Sequence, residues 1–363
     1  MTGKNGRLRI GFIGAGGIVR QRHFPGLRQL EGVELVGVVN STPESTARAA
    51  EEFGIEKEFA SPQELIESSD IDAVWIGTQP YLHSKLSIAA LEAGKHVFCQ
   101  ARMAMDLADA KRMYEAWKKT DLTATICAPP HYMRGDRVIR RMLKEGFIGT
   151  PYNVNVRSYS DSYHNPQAPV HWRQIAGISG VNTQDVGMMI EVIHRWLGYS
   201  KRVTAEALTL IRERPAAQVN QGAGHTKVER PDTVTVSAEM ENGALLTGMW
   251  SALAKFGAEG NAIEIYGSDG TIRYQAGTDA PGSGKILAGK AKDDSLHEVQ
   301  IPEADARTWT VEKDFVTAVR EGKRDPEPSF WDGLKYMEFT EAVFKSADEG
   351  RAVDLPLGPR VTR

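Results

Sequence analysis

The feature that most constrains this chain is a turn near its start. Leu8 to Ile13 is a short apolar run, Gly14-Ala15-Gly16-Gly17 follows at once, and a helical pattern continues through Leu30. The first glycine permits a tight strand-to-helix turn, and the second lets the backbone come close to a bound group. The helix N-terminus then offers unpaired N–H groups to an anion. Gly14, Gly16, Gly17 and Ile18 are therefore the expected pyrophosphate cradle, with Val19 standing where the third glycine of the fingerprint would be.

The first half then alternates in the manner such a turn requires. Apolar runs at Val33–Val39, Ala73–Ile76, His96–Cys99 and Thr123–Cys127 are separated by helical segments. These begin at Pro43, around Ser84 and near Leu107. Alternation at this spacing predicts a doubly wound parallel sheet, a Rossmann domain over residues 1–129. Pro129-Pro130 interrupts regular structure and marks the expected boundary.

Residues 130–363 read differently. Arg134–Glu145 is helical. Tyr152–Tyr159, Val203–Arg212, Thr233–Met240, Ala244–Trp250, Ala262–Tyr266 and Thr271–Gln275 are strand candidates, several joined by turns such as Glu241-Asn242-Gly243. Helices over Thr310–Glu321 and Trp331–Asp348 close the chain. The pattern predicts an α/β domain built mainly on one antiparallel sheet, with helices on one face. Pro215–Arg230 and Ala276–Asp294 are expected to be long loops.

With 363 residues the chain is long enough for two cores. A net charge of −3 gives no electrostatic case for nucleic acid or an anionic membrane, and no apolar run approaches a membrane span. Cys99 and Cys127 lack metal or disulfide spacing, so they read as core residues and no metal is expected. A cytoplasmic location follows from this reading and from the absence of a signal-peptide core before Leu8.

The end of the second strand bears on cofactor flavour. An acidic residue there favours NAD by holding the adenosine ribose. Here stand Asn40, Ser41 and Thr42, which do not repel a 2′-phosphate. NAD(P) is expected, with a slight preference for NADP, although Asn40 and Ser41 are equally readable as helix-start residues before Pro43.

Several segments in order resemble the glucose-fructose oxidoreductase/inositol dehydrogenase/rhizopine-catabolism (Gfo/Idh/MocA) family. They are Ile10–Gly17, Asp72–Pro80 with His83, Ala93-Gly94-Lys95-His96-Val97, Gly146–Gly149, His171-Trp172-Arg173, Asp185-Val186-Gly187 and Trp331-Asp332-Gly333. The resemblance implies a nicotinamide cofactor touched by Thr78, Gln79, His83 and Gln100. It also implies that residues 130–363 form a substrate-binding and oligomerisation domain with a large, mainly antiparallel open sheet, a carbohydrate-like or other small polar substrate, and a homo-oligomer (dimer or tetramer) formed through that sheet.

Two departures matter. The family's Glu-Lys-Pro, whose lysine touches substrate and nicotinamide ribose, is here Gln100-Ala101-Arg102. The histidine four residues after the aspartate is here Met189. On a helix those two positions share a face, so the usual proton-handling pair is absent around Asp185. Asp185 is the expected acid/base, or alternatively a carboxylate that orients a neighbour. His131, after the proline break, is a second catalytic candidate, and structural by the plainer reading. Tyr163 and His164, with the nearby His171, lie in one short loop that could line the substrate side, and Arg102 and Arg173 could hold a substrate anion. Nine residues beyond Asp185, His194 faces elsewhere on its helix.

Two functional classes remain open at this point. One is a nicotinamide-dependent oxidoreductase acting on a sugar, sugar acid or similar hydroxy or carbonyl compound. The other keeps the cofactor without net redox chemistry, as a lyase, hydrolase, isomerase or non-catalytic paralogue.

Overall fold

The computed structural model describes residues 6–127, 133–216, 224–277, 283–359 and 361–362. Its first strand, β1 (Leu8–Ile13), is buried along nearly its whole length between β2 (Val33–Val39) and β4 (Ala73–Ile76). With β3 (Lys57–Glu58), β5 (His96–Gln100) and β6 (Ala124–Cys127) they form a six-stranded parallel sheet in the order β3-β2-β1-β4-β5-β6. Strands this apolar on both faces need cover on both, which βαβ crossovers supply.

Helical backbone runs from Gly17 to Arg28, through a π-helical turn at Val19–His23 into α1 (Phe24–Arg28). α2 (Pro43–Phe53), α3 (Pro62–Glu67), α4 (Pro80–Glu92) and α5 (Leu107–Lys118) follow. Proline at the first helical position opens three of them, so α4 starts four residues before its sequence signal.

Two compact units result. The first comprises Met1–Ala128 together with Thr310–Met337, and the second comprises Pro129–Trp309 with Glu338–Arg363. The sequence suggested one uninterrupted second domain over 130–363; the chain instead sends 310–337 back to the first unit. The cause is apolar. Phe315, on α9 (Val311–Arg320), sets its ring edge-on to the stacked pair Trp75 and Phe98, 5.7 Å from each. The free edge of β6 is also covered, because Ala124 and Ile126 N–H groups donate to the Arg324 and Pro328 carbonyls.

In the second unit, α6 (Asp136–Lys144), β7 (Pro151–Tyr159), α7 (Ala176–Ser179) and α8 (Val186–Leu197) lead into β8 (Ser200–Leu208). A small hairpin of β9 (Glu213–Pro215) and β10 (His225–Lys227) follows. β11 (Thr233–Met240), β12 (Leu245–Ser251), β13 (Ala262–Gly267), β14 (Gly270–Ala276), β15 (Gly284–Lys290) and β16 (His297–Val299) come next. The chain ends with α10 (Phe330–Glu349) and β17 (Val353–Asp354). Nine of these strands form one sheet, β16-β15-β14-β13-β7-β12-β11-β8-β17, antiparallel except for the parallel pair β7/β12. One face packs Val154, Val156, Leu246 and Trp250 against apolar residues of α6, α8 and the later part of α10. The other face keeps Leu245 and Met249 exposed.

Two expected loops are corrected. Within 276–294, Gly284–Lys290 is a strand with Ile286 and Ala288 buried, and its glycines sit where side chains would strike neighbouring backbone. Within 215–230, His225–Lys227 pairs with Glu213–Pro215.

Candidate active site

The cofactor crevice of the first unit begins with a tight approach between two strand exits. Gly14 has φ +87°, and a Cβ there would lie 2.8 Å from Thr78 Cγ2 and 2.9 Å from its backbone nitrogen. At Gly77 a Cβ would lie 2.3 Å from the Gly14 carbonyl oxygen. Only glycine fits at either place. The next two glycines are different. A Cβ at Gly16 would have no neighbour nearer than 3.9 Å, and one at Gly17 none within 4 Å, and both residues are exposed. Protein packing does not require them to be bare. The opening they leave, at the start of the helical run with Ile18, fits a pyrophosphate held by backbone N–H groups.

Asn40 closes the turn from behind. Its Oδ1 accepts from Ala15 N–H at 2.7 Å, its Nδ2 donates to the Ser45 carbonyl at 2.8 Å, and its own N–H donates to Thr46 Oγ1. Its amide is thus engaged inside the protein, while Ser41 beside it is exposed. Thr42 caps α2 through a reciprocal pair of hydrogen bonds with Ser45.

Thr78 and Gln79 leave β4, with Gln79 at the N-cap of α4. His83 is buried beneath them, Nε2 3.0 Å from the Thr78 carbonyl and Nδ1 2.8 Å from the Arg102 carbonyl. It bridges the β4 and β5 exits through backbone, and burial pushes its pKa down. The Ala101–Arg102 peptide is cis. Gln100, half-buried at the end of β5, accepts from His23 Nε2 at 2.9 Å, and His23 Nδ1 lies 2.5 Å from Glu312 Oε1. Sequence reading did not single out Gly77, His23 or Glu312. His23 follows Gly16 by two helical turns, the signal that it points back under the cradle.

In the second unit Asp185 flanks α8, and Met189 N–H donates to its carbonyl. Ser158 Oγ, near the end of β7, lies 3.0 and 2.9 Å from the two carboxylate oxygens. Met189 packs against the apolar core. Tyr163 and His164 belong to the loop that leaves β7. Tyr163 N–H donates to the Ala252 carbonyl and His164 Nδ1 to the Leu253 carbonyl, just beyond β12. Because β7 and β12 are parallel neighbours, these residues gather with Asp185 at one end of the sheet.

The loop is held by a residue absent from the sequence candidates. Buried Arg214 donates to the Tyr163 carbonyl and, at 2.6 Å, to that of Asn165. Arg173 follows His171, whose Nδ1 accepts from its N–H, and stacks 4.3 Å from the Trp172 ring. The pKa of His171 is lowered, first by burial and then by Arg173. His194 pairs with Ser200 Oγ, away from Asp185. His131 lies outside the described residues. Among the described residues no cluster of His, Cys, Asp or Glu could hold a metal, and no helix is long and apolar enough to cross a membrane.

Comparison with known proteins covers both units. Residues 8–127 match the family described as an oxidoreductase family with an NAD-binding Rossmann fold, and residues 140–355 match its C-terminal alpha/beta domain. A 1,5-anhydro-D-fructose reductase of Ensifer adhaerens is 26% identical over 360 residues, covering 96% of this chain and 99% of the relative. A levoglucosan dehydrogenase of Pseudarthrobacter phenanthrenivorans is 27% identical over 350 residues, covering 88% and 89%. A solved levoglucosan dehydrogenase in complex with NADH and L-sorbose superposes with a TM-score of 0.85 at 25% identity, covering 96% of this chain and 99% of that one.

Proposed function

The chain belongs to the Gfo/Idh/MocA oxidoreductase family, and from that premise we propose that it moves hydride between NAD(P) and a sugar, sugar acid or similar small hydroxy or carbonyl compound. The observation that carries the reading is the pair of exposed glycines at the exit of β1. Gly16 and Gly17 are bare where packing asks for nothing, beside Gly14 and Gly77, where packing forbids anything else. The nicotinamide ring, when bound, accepts or donates the hydride at C4.

The protein's own groups do the rest. Backbone N–H groups of Gly16, Gly17 and Ile18 hold the pyrophosphate. Asn40 fixes the turn, and Ser41 offers its hydroxyl to the adenosine ribose. Thr78, Gln79 and Gln100 line the nicotinamide end, with His83 fixing the backbone of the first. Asp185, steadied through both oxygens by Ser158, handles the substrate proton, with His131 as the second candidate. Tyr163, His164, Arg102 and Arg173 contact the substrate. Without a carboxylate at position 40, NADP is tolerated and slightly preferred. The protein works in the cytoplasm, with Cys99 and Cys127 as buried free thiols. It forms a homo-oligomer through the uncovered sheet face around Leu245 and Met249.

The deciding experiment titrates the purified protein with NADH and NADPH, then offers a panel of sugars, sugar lactones and sugar acids while following reduced-nicotinamide absorbance. Binding of neither cofactor would overturn the assignment.

A further inference from the structure

The buried pair His23 and Glu312 has no place in the chemistry assigned above, and its geometry gives it one. Both residues are almost wholly enclosed, His23 at 0% and Glu312 at 2% exposure. The imidazole sits among aromatic rings, 4.9 Å from Trp75 and 5.2 Å from Phe98 between centroids. A buried carboxylate is costly without a partner, and the contact to His23 Nδ1 at 2.5 Å is such a partner. Space is reserved for it. A side chain at Gly26 would begin 2.9 Å from the Glu312 carboxylate.

The other imidazole nitrogen faces Gln100 Oε1 at 2.9 Å. The carboxylate oxygen opposite Nδ1 and the amide oxygen opposite Nε2 are both acceptors, so both ring nitrogens donate. With Oε1 taken, the Gln100 NH2 group lies beside the Cys127 thiol, a weak acceptor. Gln100 is half-buried at the carboxyl end of β5, next to the β4 exit that carries Thr78 and Gln79. In open α/β sheets a ligand lies outside those strand ends.

We infer that His23 and Glu312 are positioning residues for the nicotinamide half of the cofactor, acting through Gln100. The Glu312 carboxylate accepts from Nδ1 and so leaves the ring able to donate from Nε2 too, that second donation fixes which end of the Gln100 amide turns inward, and the NH2 group is thereby presented to the cofactor. Neither residue touches the reacting atoms. The inference rests on the nicotinamide reading above.

The test compares two ligands on the full-length protein. ADP-ribose carries everything but the nicotinamide; its 2′-phosphate form is used with NADPH if that cofactor binds more tightly. Glu312→Gln keeps the size of the side chain but removes the charge that supports a proton on both imidazole nitrogens, so a single ring proton can sit on either and the Gln100 amide is no longer oriented. Its affinity for NADH, read by fluorescence, is expected to fall roughly tenfold, the value of one hydrogen bond, with ADP-ribose affinity unchanged. Gln100→Leu should give the same split, and the double variant no further loss, because the one residue acts through the other. Additive losses, an equal fall for ADP-ribose, or no fall at all would overturn the inference. Should the double variant fail to fold, Glu312→Gln alone decides by the same split. Failure of the parent to bind either ligand would instead overturn the proposed function.

Discussion

Asn40 Oδ1 accepts a hydrogen bond from the Ala15 backbone nitrogen at 2.7 Å, so the residue at the end of β2 braces the glycine turn itself. Asn40→Asp keeps that acceptor but loses the donor to the Ser45 carbonyl and sets a carboxylate against it. Two effects are expected together. The ratio of NADPH to NADH dissociation constants should rise at least about tenfold, because a charge now stands near the 2′-phosphate. Thermal stability should also fall. An unchanged ratio would mean that position 40 exerts no influence on the ribose.

The glycines of the turn should separate folding from binding. Gly14→Ala places a Cβ against Thr78 at positive φ and is expected to lower stability by about 1–3 kcal/mol. In Gly16→Asp the added Cβ meets no protein atom closer than 3.9 Å, so the melting temperature should stay close to that of the parent. It should nevertheless abolish cofactor binding, by putting bulk and negative charge where the pyrophosphate lies. Equal cofactor affinity in Gly16→Asp and the parent would refute the cradle.

Asp185 is expected to be needed for turnover and not for cofactor binding. Asp185→Asn should reduce kcat on the true substrate by about 10²–10⁴, the range of general acid–base assistance, with NADH affinity nearly unchanged. With Ala101 and Met189 in the places of lysine and histidine, the unmodified protein should oxidise myo-inositol and simple sugars negligibly. Fast turnover of such a polyol, indifferent to Asp185→Asn, would sink this account. Ala101→Lys with Met189→His should add at most weak polyol activity, since the surroundings were not shaped for the pair.

Acid sensitivity should trace in part to His96. Burial depresses its pKa to about 4, and its Nδ1 accepts from Thr123 N–H, which requires the neutral ring. The unfolded chain binds the proton near the ordinary value of 6.5 while the folded chain does not. The histidine's contribution is therefore whole above that value and is lost as the pH falls towards about 4, by roughly 3 kcal/mol in all. Denaturant unfolding of His96→Asn, whose side-chain oxygen can replace Nδ1, should show a smaller loss over the same interval. An identical pH dependence would assign the sensitivity elsewhere.

How much of this was legible depended on whether a signal was local. The strand, the glycine turn and the helix beyond it sit within one short stretch, and both sheets follow from periods of alternation. β15 hid because Gly284, Gly289 and the lysines around them look like loop residues. Here the glycines make room for neighbouring strands, and only Ile286 and Ala288 report the buried face. The hairpin of β9 and β10 is too short to show a period. Nothing in the sequence drew attention to Arg214, because the carbonyls that neutralise its burial belong to residues about fifty positions earlier. Glu312 is 289 residues from the histidine it meets. Asn40 was placed correctly at the strand end, yet its side-chain partners depended on a backbone turn that no residue pattern describes.

The return of residues 310–337 to the first unit has a consequence for the order of synthesis. A ribosome delivers all six parallel strands well before it delivers Phe315, Glu312 and the segment that covers the edge of β6. Until then Trp75 and Phe98 lack the ring that closes over them, His23 lacks its carboxylate, and the β6 edge is open to the N–H and C=O groups of any other chain. The amino-terminal unit is therefore begun first yet stays incomplete until nearly the whole of the second has been made. A gene cut at the apparent boundary near residue 129 encodes a nascent intermediate and not a domain.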